Sequence, residues 1–194
     1  MNFLAHIYLS FGDQEITIGN FIADSIRGNK IDHLPKRIQK GIRLHREIDT
    51  YTDTHTIPKI SSKRLHKNYS HYSRVIVDIY YDHFLAKNWN DYSDIPLNIF
   101  VDDFYKLLEN NYIILPDGVQ YMMPYMIKDN WLLNYAKMDG IQKALTGLNR
   151  RTNNRSKMNF AIVDLEEHYS EFESEFTAFF DELITFSKQK FKTL

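Results

Sequence analysis

Residues 41–55 read G-I-R-L-H-R-E-I-D-T-Y-T-D-T-H, and the spacing of their apolar and charged positions decides the fold. The stretch follows Pro35 and reads as a helix whose apolar stripe begins at Ile38 and Ile42. Continued at roughly 100° per residue, that stripe meets His45, then Asp49 and, a little off axis, Asp53. A core-facing stripe calls for Leu or Val at those places. Burying two carboxylates and an imidazole without partners costs several kcal/mol each, and one divalent cation compensates all three. Two alternatives stand beside it. The stripe surfaces after Ile42, or His45 and Asp49 pair with basic residues of a neighbouring helix.

A second stretch, V-I-V-D-I-Y-Y-D-H-F-L at 75–85, is apolar on nearly every side and reads as a buried helix. It carries Asp78 and Asp82 at i and i+4, hence on one face with Val75, Leu85 and Trp89, and His83 directly after. Carboxylates at that spacing repel unless a cation or a proton lies between them. Two buried helices, each with acid and imidazole on or beside its inward face, point to a shared metal site.

The 194 residues fit a single domain, 1–194, able to bury a substantial core. With no cysteine, disulfides, Cys-ligated zinc and a Cys nucleophile are excluded. A net charge of −1 leaves no global field for nucleic acid, so an anionic partner must meet a local basic patch. No stretch approaches the ~18 apolar residues of a membrane span. The start M-N-F-L-A-H-I-Y-L lacks the basic leader and cleavage site of a signal peptide, so a cytoplasmic setting is expected.

Only 7 glycines and 5 prolines, with little period-2 alternation, predict an all-α bundle. Residues 2–10 read as a short helix or extended lead-in, and 14–27 as a helix closed by Gly28. Helices of roughly 34–54, 57–66, 72–88 and 97–111 follow. Pro116-Asp117-Gly118 and Pro124 predict a turn with short helical pieces over 112–126, and 128–149 is amphipathic. Arg150 to Lys157 reads as a basic linker. Leu165, Tyr169, Phe172, Phe176, Phe179, Leu183 and Phe186 mark a long C-terminal helix whose seam faces its own core.

The candidate donors are oxygen and imidazole only, a set suited to Mn²⁺, Fe²⁺ or Mg²⁺, with Zn²⁺ a further choice. Such ions act on phosphoryl oxygens and lower the pKa of water. Arg46 clamps a phosphate or pairs with Asp49, three residues on. No phosphate loop or nucleophile elbow occurs. His33, His66, His71 and His168 read as surface or packing residues. Lys36, Lys40 and Arg43 form a basic outer strip opposite Ile38 and Ile42, which is either a solvated face or a surface that steers an acidic protein or a phosphate.

Four blocks then come together: M-N-F-L-A-H at the start, G-N-F-I-A-D at 19–24, L-H-R-E-I-D-T-Y-T-D at 44–53 and V-D-I-Y-Y-D-H-F-L at 77–85. In these the chain resembles the acyl carrier protein phosphodiesterases, which are similar to a distorted version of the helical, metal-dependent HD-domain phosphohydrolases. Fainter likeness over 114–116, 131–142 and 164–169 extends the resemblance along nearly the whole chain. It implies Mn²⁺- or Mg²⁺-dependent hydrolysis, by metal-activated water, of the phosphodiester joining 4′-phosphopantetheine to the serine of holo acyl carrier protein. It implies Asp24, His45, Asp49 and Asp82 as metal-site residues, with His6 and Asp78 next, and Asp53, His55 and His83 as supporting or structural residues.

Asp24 and Arg46 are the candidates for a direct catalytic part. Lys36, Lys40 and Arg43, or Arg150, Arg151 and Arg155, are the candidates for holding the carrier protein. Two departures stand out. The His-Asp pair of HD enzymes is reversed here as Asp82-His83, and Ser25 occupies a place where that family carries a bulky aromatic, outside the expected chemistry. A phosphohydrolase of small nucleotides or phosphoesters, and a non-catalytic helical binding protein, are the competing readings.

Overall fold

The computed structural model describes residues 1–28 and 31–194, and every regular element among the described residues is helical. In chain order these are α1 (Phe3–Tyr8), α2 (Gln14–Ile22), α3 (Lys36–Thr54), α4 (Thr56–Tyr69), α5 (Ser73–Lys87), α6 (Leu97–Asn110), α7 (Asp117–Lys128), α8 (Trp131–Asn134), α9 (Met138–Arg151), α10 (Ala161–Glu167) and α11 (Tyr169–Thr193). One cluster of buried hydrophobic side chains draws on nearly all of them, from Leu4 in α1 to Leu183 in α11. No helix among the described residues is long and apolar enough to cross a membrane.

A close crossing of α2 and α3 sets up everything that follows. A Cβ on Gly19 of α2 would lie 2.1 Å from the Ile38 carbonyl oxygen, and one on Gly41 of α3 would lie 2.2 Å from that of Ile16. Only glycine at both places lets the two backbones touch. Asn20 is thereby carried against α3 beside His45. α2 starts cleanly, because the Asp13 side chain accepts the Ile16 N–H at 3.0 Å as an N-cap. It ends at Ile22 and tightens into a 3-10 turn over Ala23–Ser25 instead of continuing to 27. That tightening brings Asp24 to the rim.

α11 packs across α3, α4 and α5. Phe172, Phe176, Phe179 and Leu183 are fully buried on it, so the apolar seam is filled from within the chain. Tyr51 of α3 stacks on Phe186 at 4.2 Å between ring centroids. Arg64 of α4 meets Glu175 with both guanidinium nitrogens, at 2.9 and 2.6 Å, and covers the Phe172 ring at 4.7 Å. The seam is interrupted at His168, which leaves Leu165 in α10.

Three further expectations change. Residues 117–128 form one regular helix that contains Pro124, in place of turns and fragments. The amphipathic stretch 128–149 is split into α8 and α9, with Asn130 left-handed (φ 43°) where α8 begins. Arg150 and Arg151 belong to the last turn of α9, not to a linker.

Candidate metal centre

The short α1 is pinned at its N-terminus by Asp82 of α5. The two carboxylate oxygens accept the Leu4 N–H at 2.8 Å and the Ala5 N–H at 3.1 Å. Free N–H groups at a helix start favour a negative partner, which accounts for a carboxylate that is wholly buried. So anchored, α1 presents His6 to the inward face of α3.

There His6 and His45 lie ring on ring, 3.9 Å between centroids and 16° from parallel. One residue orients both. The Asn20 side-chain nitrogen donates to the His6 carbonyl at 2.8 Å and to Ser10 Oγ at 3.1 Å. Its Oδ1 is thereby left to accept from His6 Nδ1, at 2.8 Å. Its main-chain carbonyl, in the last turn of α2, accepts from His45 Nδ1, also at 2.8 Å. Each imidazole donates through Nδ1 and turns Nε2 outward.

Those two Nε2 atoms face carboxylates. His45 Nε2 lies 3.0 Å from Asp49 Oδ2 and 3.1 Å from Asp24 Oδ1, and His6 Nε2 lies 3.2 Å from Asp49 Oδ1. The last contact lacks hydrogen-bond geometry, and His6 Nε2 is a buried polar atom with no partner. Acceptors aimed at acceptors repel unless a proton or a cation stands between them. Burial works to lower the His45 pKa, but the hydrogen bonds to Asp24 and Asp49 outweigh it and raise the value to about 9. Burial, with the neighbouring His45 charge, pushes His6 down to about 4. Burial opposes ionisation of Asp49, yet the His45 contact overrides it and holds that carboxyl far below the usual range.

His6, His45 and Asp49 together offer ligand atoms within 4.8 Å of one another, a possible His/Asp metal site. Two imidazoles with deprotonated Nε2, each oriented through Nδ1 by a backbone or amide oxygen, and a carboxylate suit a divalent first-row ion. Asp24, its side chain 75% exposed, adds an oxygen at the rim.

Of the other candidates, Asp82 is occupied with the start of α1. Asp78 stands in a groove, 3.1 Å from the Met1 amino nitrogen, which in turn lies 3.6 Å from Asp49. Asp53 is exposed and pairs with Arg74 at 3.6 Å. Four-residue steps drift about 40° round a helix, so the stripe rises from buried His45 through half-buried Asp49 to the surface at Asp53.

Val75 likewise lies at the surface. Arg46 donates to the Gly28 carbonyl at 2.6 Å, which ties α3 to the loop after Asp24. His55 pairs with Glu182 at 3.2 Å. His83 is held between the Tyr135 carbonyl and the Tyr169 hydroxyl, at 2.7 and 2.8 Å. Lys36, Lys40 and Arg43 lie about 140–180° round α3 from His45 at 100° per residue. Lys40 covers the Phe191 ring instead, at 5.2 Å.

Sequence reading passed over Asn20. Its sole signal was a polar residue fully buried among the isoleucines of α2. Ser25 also gains a place, because it lines a 410 Å³ cavity with Asp24, Phe3, Phe21, Met122 and Arg151.

The family described as Acyl carrier protein phosphodiesterase matches residues 1–183. A protein of that name from Photorhabdus laumondii is 31% identical over 192 residues, covering 98% of this chain and 96% of its own. Its namesakes from Escherichia coli O6:H1 and Salmonella newport are 31% and 32% identical, each over 98% of this chain and 99% of their own. No solved structure matches, so the likeness to HD-domain enzymes has no counterpart there. The chain belongs to the acyl carrier protein phosphodiesterase family.

Proposed function

We propose that this chain hydrolyses the phosphodiester linking 4′-phosphopantetheine to the serine of holo acyl carrier protein, releasing apo carrier protein and 4′-phosphopantetheine. His6, His45 and Asp49 hold one divalent ion, with Asp24 as a fourth donor at the open edge. Mn²⁺ is the first choice for oxygen and imidazole donors, with Mg²⁺ and Fe²⁺ as the alternatives. When bound, such an ion polarises a phosphoryl oxygen and makes water a better nucleophile at neutral pH.

The observation that carries this reading is the partnerless, buried Nε2 of His6, aimed with His45 Nε2 at the Asp49 carboxylate. A fold with no use for a cation would fill the place of His6 with Leu, since an orphaned buried acceptor costs about 1–3 kcal/mol. Asn20 keeps both rings in the liganding tautomer. Asp24 and Asp49, at 75% and 42% side-chain exposure, open the centre to a substrate carried on another protein's surface. Arg46 steadies the loop behind Asp24. Water adds to phosphorus as the phosphorus–serine oxygen bond breaks, and the serine oxygen leaves with a proton.

The experiment is direct. Holo carrier protein incubated with the enzyme and Mn²⁺ should lose the mass of 4′-phosphopantetheine, read on the intact protein. An unchanged mass, with metal bound to the enzyme, defeats the assignment.

A further inference from the structure

Between α4 and α5 runs a groove of 710 Å³ whose lysines the protein's own carboxylates leave uncovered. Lys59, Lys63 and Lys67 recur every four residues along α4, hence on one face, and Arg74 joins them from the first turn of α5. Like charges at that spacing repel, so the row does not serve the helix. Among the described residues, neither Lys63 nor Lys67 has an ion pair or a hydrogen bond. Lys59 reaches only the Thr54 carbonyl, at 2.8 Å, and Arg74 has Asp53 at 3.6 Å. In a chain of net charge −1 this is a local surplus.

Its position gives the surplus a use. Thr52 and Asp53, which wall the groove, follow Asp49 on α3 by one helical turn, about 5 Å. The Lys36, Lys40 and Arg43 strip lies on the far side of the same helix. We propose that the α4–α5 groove is the docking face for the protein-borne substrate, an acidic surface resting on Lys59, Lys63, Lys67 and Arg74. This rests on the function proposed above.

The lysine row spans about 12 Å along α4, a length over which carboxylates spaced on a protein surface can register. A nucleic-acid backbone suits the groove less well, because Asp53 and Asp78 on its inner wall would face continuous phosphate. Rim charges of this kind act on encounter and on salt dependence more than on chemistry.

The test is steady-state hydrolysis of holo carrier protein by the full-length double variant K63E/K67E with Mn²⁺, its fold checked by circular dichroism. At low ionic strength KM should rise about tenfold with kcat held within about twofold. The variant should also lose much of the salt sensitivity of the wild type, and K63R/K67R should restore KM. An unchanged KM overturns the proposal, as does a rise in KM in K36E/K40E in its place, or tighter wild-type binding of a single-stranded oligonucleotide than of holo carrier protein. If the double variant fails to fold, the single variant Lys63→Glu carries the same comparison. A wild-type protein that does not process holo carrier protein defeats the function itself. Turnover with KM indifferent to the groove charges defeats only the docking face.

Discussion

Replacing Gly41 by Ala sets two opposing effects against each other, and the structure says which wins. Ala is the better helix former by about 1 kcal/mol, so propensity alone predicts a more stable protein. The new Cβ, however, would lie 2.2 Å from the Ile16 carbonyl oxygen and 2.9 Å from the Gly19 Cα. Both are backbone atoms, so no side chain can swing aside, and α2 must retreat from α3 by about 1 Å to reach ordinary contact. Overpacking of this kind costs about 1–3 kcal/mol, and with rigid obstacles the upper end applies. A net loss of about 2 kcal/mol is expected.

The same retreat stretches the 2.8 Å bond from His45 Nδ1 to the Asn20 carbonyl beyond hydrogen-bond range. Metal affinity should fall along with stability. Urea unfolding of the metal-free protein reads the first effect as a lower midpoint at unchanged slope, and Mn²⁺ titration reads the second. A Gly41→Ala protein as stable as the wild type, or more so, would refute the close crossing on which the site's geometry depends.

Three more outcomes follow from the same structure. Asn20→Ala removes the acceptor of His6 Nδ1 while leaving the main-chain carbonyl for His45, so Mn²⁺ affinity should fall about 10–100-fold, measured by titration with the helical content intact. In the metal-free protein His45 is held charged up to about pH 9, above its unfolded value. The stability it contributes is therefore complete below about pH 6.5, declines as pH rises through about 9, and should be absent from the urea midpoints of His45→Ala. Glu175→Ala strands Arg64, whose side chain is 22% exposed, and should lower stability by about 1–3 kcal/mol in the same unfolding assay, while the Ser61 hydroxyl keeps its 2.7 Å bond with Tyr81.

Periodicity carried much of this. The stripe from Ile38 through His45 to Asp49 lies in sequence as it lies in space, because one straight helix holds it. The Phe172–Leu183 seam was legible for the same reason. Contacts between helices were not. Asp78 and Asp82 share a face and look like a pair, yet Asp82 caps α1 from 77 and 78 residues away, which no spacing rule encodes.

Asn20 was missed because half of its function is exercised by a main-chain carbonyl, which every residue has. Lys36, Lys40 and Arg43 were read as a binding strip from charge alone. The groove lysines of α4 went unremarked, since a row at i, i+4 and i+8 looks like an ordinary wet helix face until α5 is laid beside it.

The central claim is that His6, His45 and Asp49 grip a cation, and electron paramagnetic resonance titration with Mn²⁺ tests it most directly. The wild-type protein should take up one equivalent with the free-ion signal suppressed, whereas folded His6→Ala and His45→Ala should leave most of the signal free. If either variant binds Mn²⁺ as the wild type does, the ion is held elsewhere and this account of the site is wrong.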